Sequence, residues 1–235
     1  MPIIGGLQKV TLVDYPGKVA CTVFLSGCNF RCPFCYSKEL VLPEKIKDHP
    51  RLEEDYLFSF LEERKDFLDG VVLCGGEPTI NSDLLDFCKK IKKMGFCIKL
   101  DTNGSNPEIL KELIKEKLID YIAMDIKAPL DQAKYNLANG ADISLEKIKE
   151  SIEIIKKSGI DYEFRSTIVN KIHSKEDILQ MARDIAPADK YFLQQFRGEK
   201  GTIDPNFSNL KPFEDKELEE IKKQIESLFK VFKIR

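Results

Sequence analysis

Residues 19–36 read VACTVFLSGCNFRCPFCY. The opening stretch, Val19–Ser26, is a near-continuous apolar run of strand length, as expected for a parallel strand buried on both faces. Three cysteines follow within eight residues, Cys28-x3-Cys32-x2-Cys35, with Arg31 and Pro33 between them. The triplet therefore sits on a loop at the C-terminal end of its strand, the end at which barrels of strand–helix units gather their chemistry. Three soft thiolates this close can converge on one metal centre. On a cube of four irons they leave one iron without a protein ligand, and an open coordination position is what a catalytic centre needs. A structural zinc site of Cys3His type is the alternative. His49 and His173 are the only histidines, and neither has a tight spacing to the triplet.

Outward from this stretch the pattern repeats. Apolar runs at Val71–Cys74, Phe96–Asp101, Tyr121–Ile126, Tyr162–Val169 and Tyr191–Phe196 read as further strands. Amphipathic stretches at Leu52–Phe67, Ser82–Met94, Pro107–Lys117, Leu145–Lys157 and Lys175–Ile185 read as helices between them. Asn106 before Pro107 reads as a cap with proline in the first turn, and Ser174 with Asp177 as a capping box. Gly95 and Gly159 read as helix stops. Six strand–helix units of ~30 residues predict an α/β fold with a parallel sheet and right-handed crossovers. Six units fall short of the eight of a closed barrel, so the expectation is a partial, partly open (β/α)6 barrel. A last helix is expected over Asp215–Phe232, its stripe of Leu218, Ile221, Ile225, Leu228 and Phe232 docking on the barrel. Residues 1–18 read as an N-terminal extension and about 213–235 as the docking helix of one domain, 1–235, without internal repeats or linkers.

The chain has 235 residues, 43% hydrophobic and 32% charged, enough to bury a core and stay in solution. Its formal charge of −2 argues against a protein that neutralises phosphates along a nucleic acid. No run approaches a membrane span, and the N-terminus lacks the basic start and apolar run of a signal peptide. A cytoplasmic location is expected. Seven cysteines, an odd number, all within the first 97 residues, do not suit a disulfide framework there. Cys21, Cys88 and Cys97 read as core residues, whereas Cys74 adjoins a second motif.

That motif is CGGEPT, residues 74–79, at the end of the second strand. Gly75 and Gly76 let a ligand approach the backbone, and Glu77 offers an acceptor for an ammonium group. A tight turn with a helix-capping acid is the bland alternative. The next two strands end in LDTNGS (100–105) and MDIKAP (124–129), placing Asp101 and Asp125 at the upper rim. An acid there must be paired, coordinated or functional. Lys127 points to the same side as Asp125 if the strand persists, so a plain salt bridge is one reading. Arg165, amid apolar residues in YEFRSTIV, can clamp a carboxylate or pair with Glu163 or a helix acid. Of Gln194 and Gln195 in LQQFRG (193–198), only one can face the barrel.

Taken together, the triplet with Phe34 before its last cysteine, the GGE turn and the two acidic strand ends resemble the radical S-adenosylmethionine (SAM) enzymes, which implies the barrel type of that superfamily. DTNG and DIK are similar to segments of the activating enzymes for glycyl-radical enzymes. The stretch 5–36, GGLQKVTLVDYPGKVACTVFLSGCNFRCPFCY, resembles the anaerobic ribonucleoside-triphosphate reductase activating group. The resemblance implies one [4Fe–4S] cluster held by Cys28, Cys32 and Cys35, since the span between Cys35 and Cys74 has no cysteine for another. It implies SAM bound among Phe34, Tyr36, Gly75, Gly76, Glu77, Asp101, Thr102, Asp125, Ile126, Lys127, Arg165 and Gln195, and a monovalent cation beside Asp101 and Asp125. The histidine expected near the sixth strand in such enzymes is missing here. The implied reaction is oxidoreductive. An electron from flavodoxin or ferredoxin splits SAM into methionine and a 5′-deoxyadenosyl radical, which takes a hydrogen from a glycine of a glycyl-radical partner. Neither a nucleic acid nor a membrane is an expected partner. Other readings are a radical SAM enzyme for a small molecule, such as a 7-carboxy-7-deazaguanine synthase, and a non-catalytic iron–sulfur or zinc module.

Overall fold

Among the described residues eight strands form one sheet in sequential order, and all but the first run parallel. The computed structural model describes residues 2–235. The strands are β1 (Ile4–Thr11), β2 (Ala20–Leu25), β3 (Gly70–Gly75), β4 (Cys97–Thr102), β5 (Tyr121–Asp125), β6 (Asp161–Ile168), β7 (Ala188–Gln195) and β8 (Phe229–Ile234). Helices α1 (Lys38–Val41), α2 (Pro43–Asp48) and α3 (Glu54–Glu63) lie between β2 and β3. Then α4 (Leu84–Lys93) and α5 (Pro107–Lys115) follow β3 and β4, and α6 (Gln132–Asn139) and α7 (Leu145–Lys157) follow β5. After β6 comes α8 (Lys175–Ile185), and α9 (Asp215–Ile225) precedes β8. Strands β1 and β8 are the sheet's two edges, so the barrel stays open between them.

The parallel strands are buried on both faces, which is why they read as continuous apolar runs. The outer face packs under the helices: Val71 and Leu73 of β3, Ile98 and Leu100 of β4 and Ile122 and Met124 of β5 share one core with Ile91, Leu113 and Ile155. Each such side chain contributes roughly 1.5–3 kcal/mol by leaving water. The inner face holds a separate small cluster, Tyr15, Ala20, Val72 and Tyr121, which closes the barrel at the N-terminal ends of its strands. Chemistry is left to the other end.

Three expectations need correction. Part of the supposed extension is β1, paired antiparallel with β2 from Ile4↔Leu25 to Thr11↔Ala20. Its alternation is broken by the pair Gly5–Gly6, which hides the strand in the sequence. The last helix stops at Ile225, and Phe229–Ile234 is β8, paired parallel with β7. The apolar positions of FKVFKI fit both periods; tilted packing of Phe229 and Phe232 against Tyr191 (5.0 and 6.0 Å between ring centres) goes with the strand. Asn106 precedes α5 but makes no side-chain cap; its amide donates to the Thr79 carbonyl (2.8 Å) and ties α5 to the turn after β3. The capping box of Ser174 and Asp177 is present, and Gly95 and Gly159 take left-handed φ values of 94° and 71°.

Candidate active site

The cysteine loop leaves β2 and is held from three directions. Inside it, Arg31 Nη1 donates to the carbonyls of Cys28 (2.6 Å) and Phe30 (2.7 Å), and the Cys35 N–H donates to the Cys32 carbonyl (3.0 Å). From one side, the end of α6 receives the Arg31 N–H on the Asn139 carbonyl (2.8 Å). From the other, the segment after β7 donates from Ile203 N to Cys35 O (3.1 Å) and from Asp204 N to Pro33 O (3.0 Å). The Tyr36 hydroxyl accepts from Arg197 N (2.6 Å), and its ring stacks on Phe196 at 5.3 Å. Arg31, which the sequence presents only as an odd residue between cysteines, is thus the loop's internal brace. Burial pushes the Cys28 and Cys32 thiols up to about 12 and about 11, and the Cys35 thiol up as well. Iron must therefore displace their protons on binding.

The glycine turn has a second job besides the one expected of it. A Cβ on Gly76 would lie 1.9 Å from the Gly27 carbonyl oxygen, and one on Gly75 2.5 Å from the backbone of Leu25. The glycines let β3 close on the chain's own cysteine loop, with Gly76 N donating to Leu25 O (2.8 Å) and Glu77 N to Gly27 O (2.7 Å). Glu77 is fully buried. Its Oε1 accepts from Thr79 N, Thr79 Oγ1 and Thr102 Oγ1, and its Oε2 accepts from Asn103 N (2.6 Å). Burial raises its pKa against these bonds. The carboxylate fastens the ends of β3 and β4 together, and Oε2, with one protein donor, keeps accepting capacity at the cavity wall.

Beside this turn lies a ladder of charges on neighbouring strands. Arg165 stands opposite Asp125 in the β5–β6 register and bridges two carboxylates, Nε to Asp125 Oδ1 and Nη1 to Asp101 Oδ2, both 2.9 Å. Lys127 Nζ donates to Asp125 Oδ2 (2.8 Å) and Lys99 Nζ to Asp101 Oδ1 (2.5 Å). Glu163 Oε1 lies 3.9 Å from Arg165 Nη1. Burial opposes the charge on Asp125, but Arg165 and then Lys127 outweigh it and hold the carboxyl well below the usual range. Burial likewise opposes the charge on Lys127, and Asp125 keeps it cationic. His173, buried behind, accepts the Val169 N–H on Nδ1 (3.0 Å). Nε2 then carries the proton and donates to the Lys127 carbonyl (2.8 Å).

The cysteine loop, the glycine turn and part of the charge ladder meet at one cavity of about 270 Å³. Cys28, Cys32, Cys35, Phe34, Tyr36, Gly75, Gly76, Glu77, Asp101, Thr102, Asp125, Lys127 and Arg165 all border it. Two expected residues do not. Ile126 faces the core, fully buried, and Gln195 spends its Oε1 on the Phe213 N–H (3.0 Å). Register explains the second: Thr167, which borders the cavity, pairs with Gln194, so Gln194 shares its face and Gln195 points away. Asn103 and Cys74 also border the cavity and were not singled out as ligands from the sequence; Asn103 shows itself only through its bonds to Glu77 and Asn29.

The profile of the Radical SAM superfamily matches residues 22–185, the segment from β2 to the end of α8. The chain belongs to the radical SAM superfamily. Among radical SAM relatives it is 35% identical, over 94% of its own length and 90% of theirs, to a Methanocaldococcus jannaschii protein named a candidate glycyl-radical enzyme activating enzyme. A second protein of that organism and name is 28% identical over 80% of this chain and 70% of its own. The crystal structure of Streptococcus suis SuiB bound to S-adenosylmethionine superposes with a TM-score of 0.64 at 17% identity. It covers 90% of this chain and 51% of that one, so the chain spans about half of SuiB and shares its fold.

A radical SAM chain uses a [4Fe–4S] cluster and SAM, and the donors fit them. Among the described residues no three His, Cys, Asp or Glu side chains are drawn together closely enough to hold a metal ion. An iron–sulfur cube is broader than one ion, and its corner ligands stand correspondingly further apart. Three thiols outside any disulfide border one cavity, a donor set that fits three corners of the cube. The monovalent cation is another matter, since all four oxygens of Asp101 and Asp125 already accept from cationic side chains.

Proposed function

We propose that this radical SAM chain is an activating enzyme that removes a hydrogen atom from a glycine of a glycyl-radical partner, with the anaerobic ribonucleotide reductase as the expected target. The observation that carries the reading is the match, along nearly the full length of both chains, to a relative named for that activity. When bound, the cluster and SAM supply one-electron cleavage of the sulfonium, yielding methionine and the 5′-deoxyadenosyl radical, with flavodoxin or ferredoxin as the electron source. Cys28, Cys32 and Cys35 would hold the cluster through three thiolates, leaving one iron without a protein ligand. Oε2 of Glu77 would receive the SAM ammonium group, while Lys127 and Arg165, both anchored by Asp125, would draw the carboxylate. Phe34 and Tyr36, both packed on Phe196, give the same cavity an aromatic side. A loop of the partner protein would approach from the side left open between β1 and β8.

The test is electron paramagnetic resonance of the reduced, cluster-loaded protein mixed with SAM and a candidate glycyl-radical partner. A stable glycyl doublet is the expected result. SAM cleavage without a doublet, across the partners of the source organism, would turn the reading towards a small-molecule substrate.

A further inference from the structure

The bridge from Asp101 through Arg165 to Asp125 lies where the resemblance implies a monovalent metal cation. We propose that the guanidinium of Arg165 takes the place of that metal cation, so that SAM binds to this chain without sodium or potassium. Each of the four carboxylate oxygens at the position accepts a hydrogen from a cationic side chain. Asp101 gives Oδ1 to Lys99 and Oδ2 to Arg165, and Asp125 gives Oδ1 to Arg165 and Oδ2 to Lys127. The neighbouring Thr102 hydroxyl donates to Glu77 Oε1 (2.8 Å) and accepts from Gly104 N (3.1 Å).

Charge points the same way. Lys99, Lys127 and Arg165 face Asp101, Asp125 and Glu163, so the group is balanced before any ion enters. Lys99 is 2% exposed and Arg165 15%, so a further cation would meet theirs with little screening. The guanidinium is also delivered by the fold. Arg165 is fixed opposite Asp125 by strand register, and a tethered cation loses no translational freedom on taking its place. Its flat fork spans two carboxylates, which a compact ammonium does not do in this way. Nη2 takes part in neither bond and keeps its N–H donors for a further carboxylate. The inference rests on SAM binding, which belongs to the superfamily, and not on the identity of the protein partner.

Equilibrium dialysis of SAM against the cluster-loaded protein tests this in sodium, potassium and choline chloride at equal ionic strength. The proposal expects dissociation constants within about threefold of one another. Binding more than about threefold weaker in choline, restored by either metal cation, overturns it. Arg165→Gln should weaken binding in choline by about tenfold or more and regain part of it in sodium or potassium, the carboxylates being freed for the ion. Arg165→Lys, which keeps a tethered charge, should be less salt-dependent than Arg165→Gln. An Arg165→Gln protein bound equally in all three salts would overturn the substitution of guanidinium for metal. Melting of the cluster-free, unaltered protein gives a second readout, expected to be the same in the three salts.

Discussion

Gly76 and Gly95 both occupy turns after buried elements, yet a methyl group would meet very different surroundings at each. At Gly95 it meets nothing within 4 Å, and only the left-handed φ of 94° opposes it. Gly95→Ala should therefore cost about 1–2 kcal/mol. At Gly76 the methyl collides with the Gly27 carbonyl, and Gly76→Ala should cost at least about 3 kcal/mol or prevent folding. Denaturant midpoints of the two variants check the order; equal losses would refute the close approach of the two loops. Among the cysteines, Cys32→Ala should lose the cluster and all SAM cleavage. Cys88→Ala, in the packed face of α4, should keep both at a modest stability cost. Iron content and 5′-deoxyadenosine yield separate them, and the reverse pattern would refute the ligand assignment. At this scale the sequence was informative where a residue's chemistry exceeds its surroundings: three thiols, and two acids at strand ends. It was silent where the neighbour decides. Arg165 could pair with several acids until the fold brought Asp101 and Asp125 to it, and the parity of β7 decides between Gln194 and Gln195.

Between elements, the capping box of α8 and the histidine behind it hold the rim where Lys127 sits. The Ser174 hydroxyl accepts from Asp177 N (3.1 Å), and Ser174→Ala should cost about 1 kcal/mol of stability, read by thermal melting. His173 is neutral in the fold because burial lowers its pKa below the ordinary 6.5. The unfolded chain thus binds the extra proton first, and stability falls as pH drops below about 6.5 towards the folded value. Denaturant midpoints at pH 7.5 and 5.5 should differ more for the native protein than for His173→Gln; identical slopes would contradict a buried neutral ring. The long periodic elements were legible, with α7 and α8 falling on their expected bounds. The edge strands were not, because β1 carries a glycine pair and β8 a pattern that both periods satisfy. A short helix such as α6 escapes notice because few of its residues face the core, Tyr135 and Ala138 among them.

For the whole molecule, the decisive feature is a sheet that curves without closing. Its inner face is plugged by aromatic and small side chains at one end and lined by thiols, glycines and balanced charges at the other. Counting strand–helix units in the sequence reached the parallel order and the openness, since those follow from alternation. The two additional strands lengthen the sheet at both edges and leave the gap in place. Among the described residues no helix is long and apolar enough to cross a membrane. The account as a whole requires that the cavity bring an iron–sulfur cube with a vacant corner against bound SAM. The most direct measurement is the product of a dithionite-reduced, anaerobically reconstituted sample given SAM alone. Methionine and 5′-deoxyadenosine appearing in equal amounts, and vanishing in Cys32→Ala, is the predicted result. A fully iron-loaded, folded protein that leaves SAM intact would contradict it.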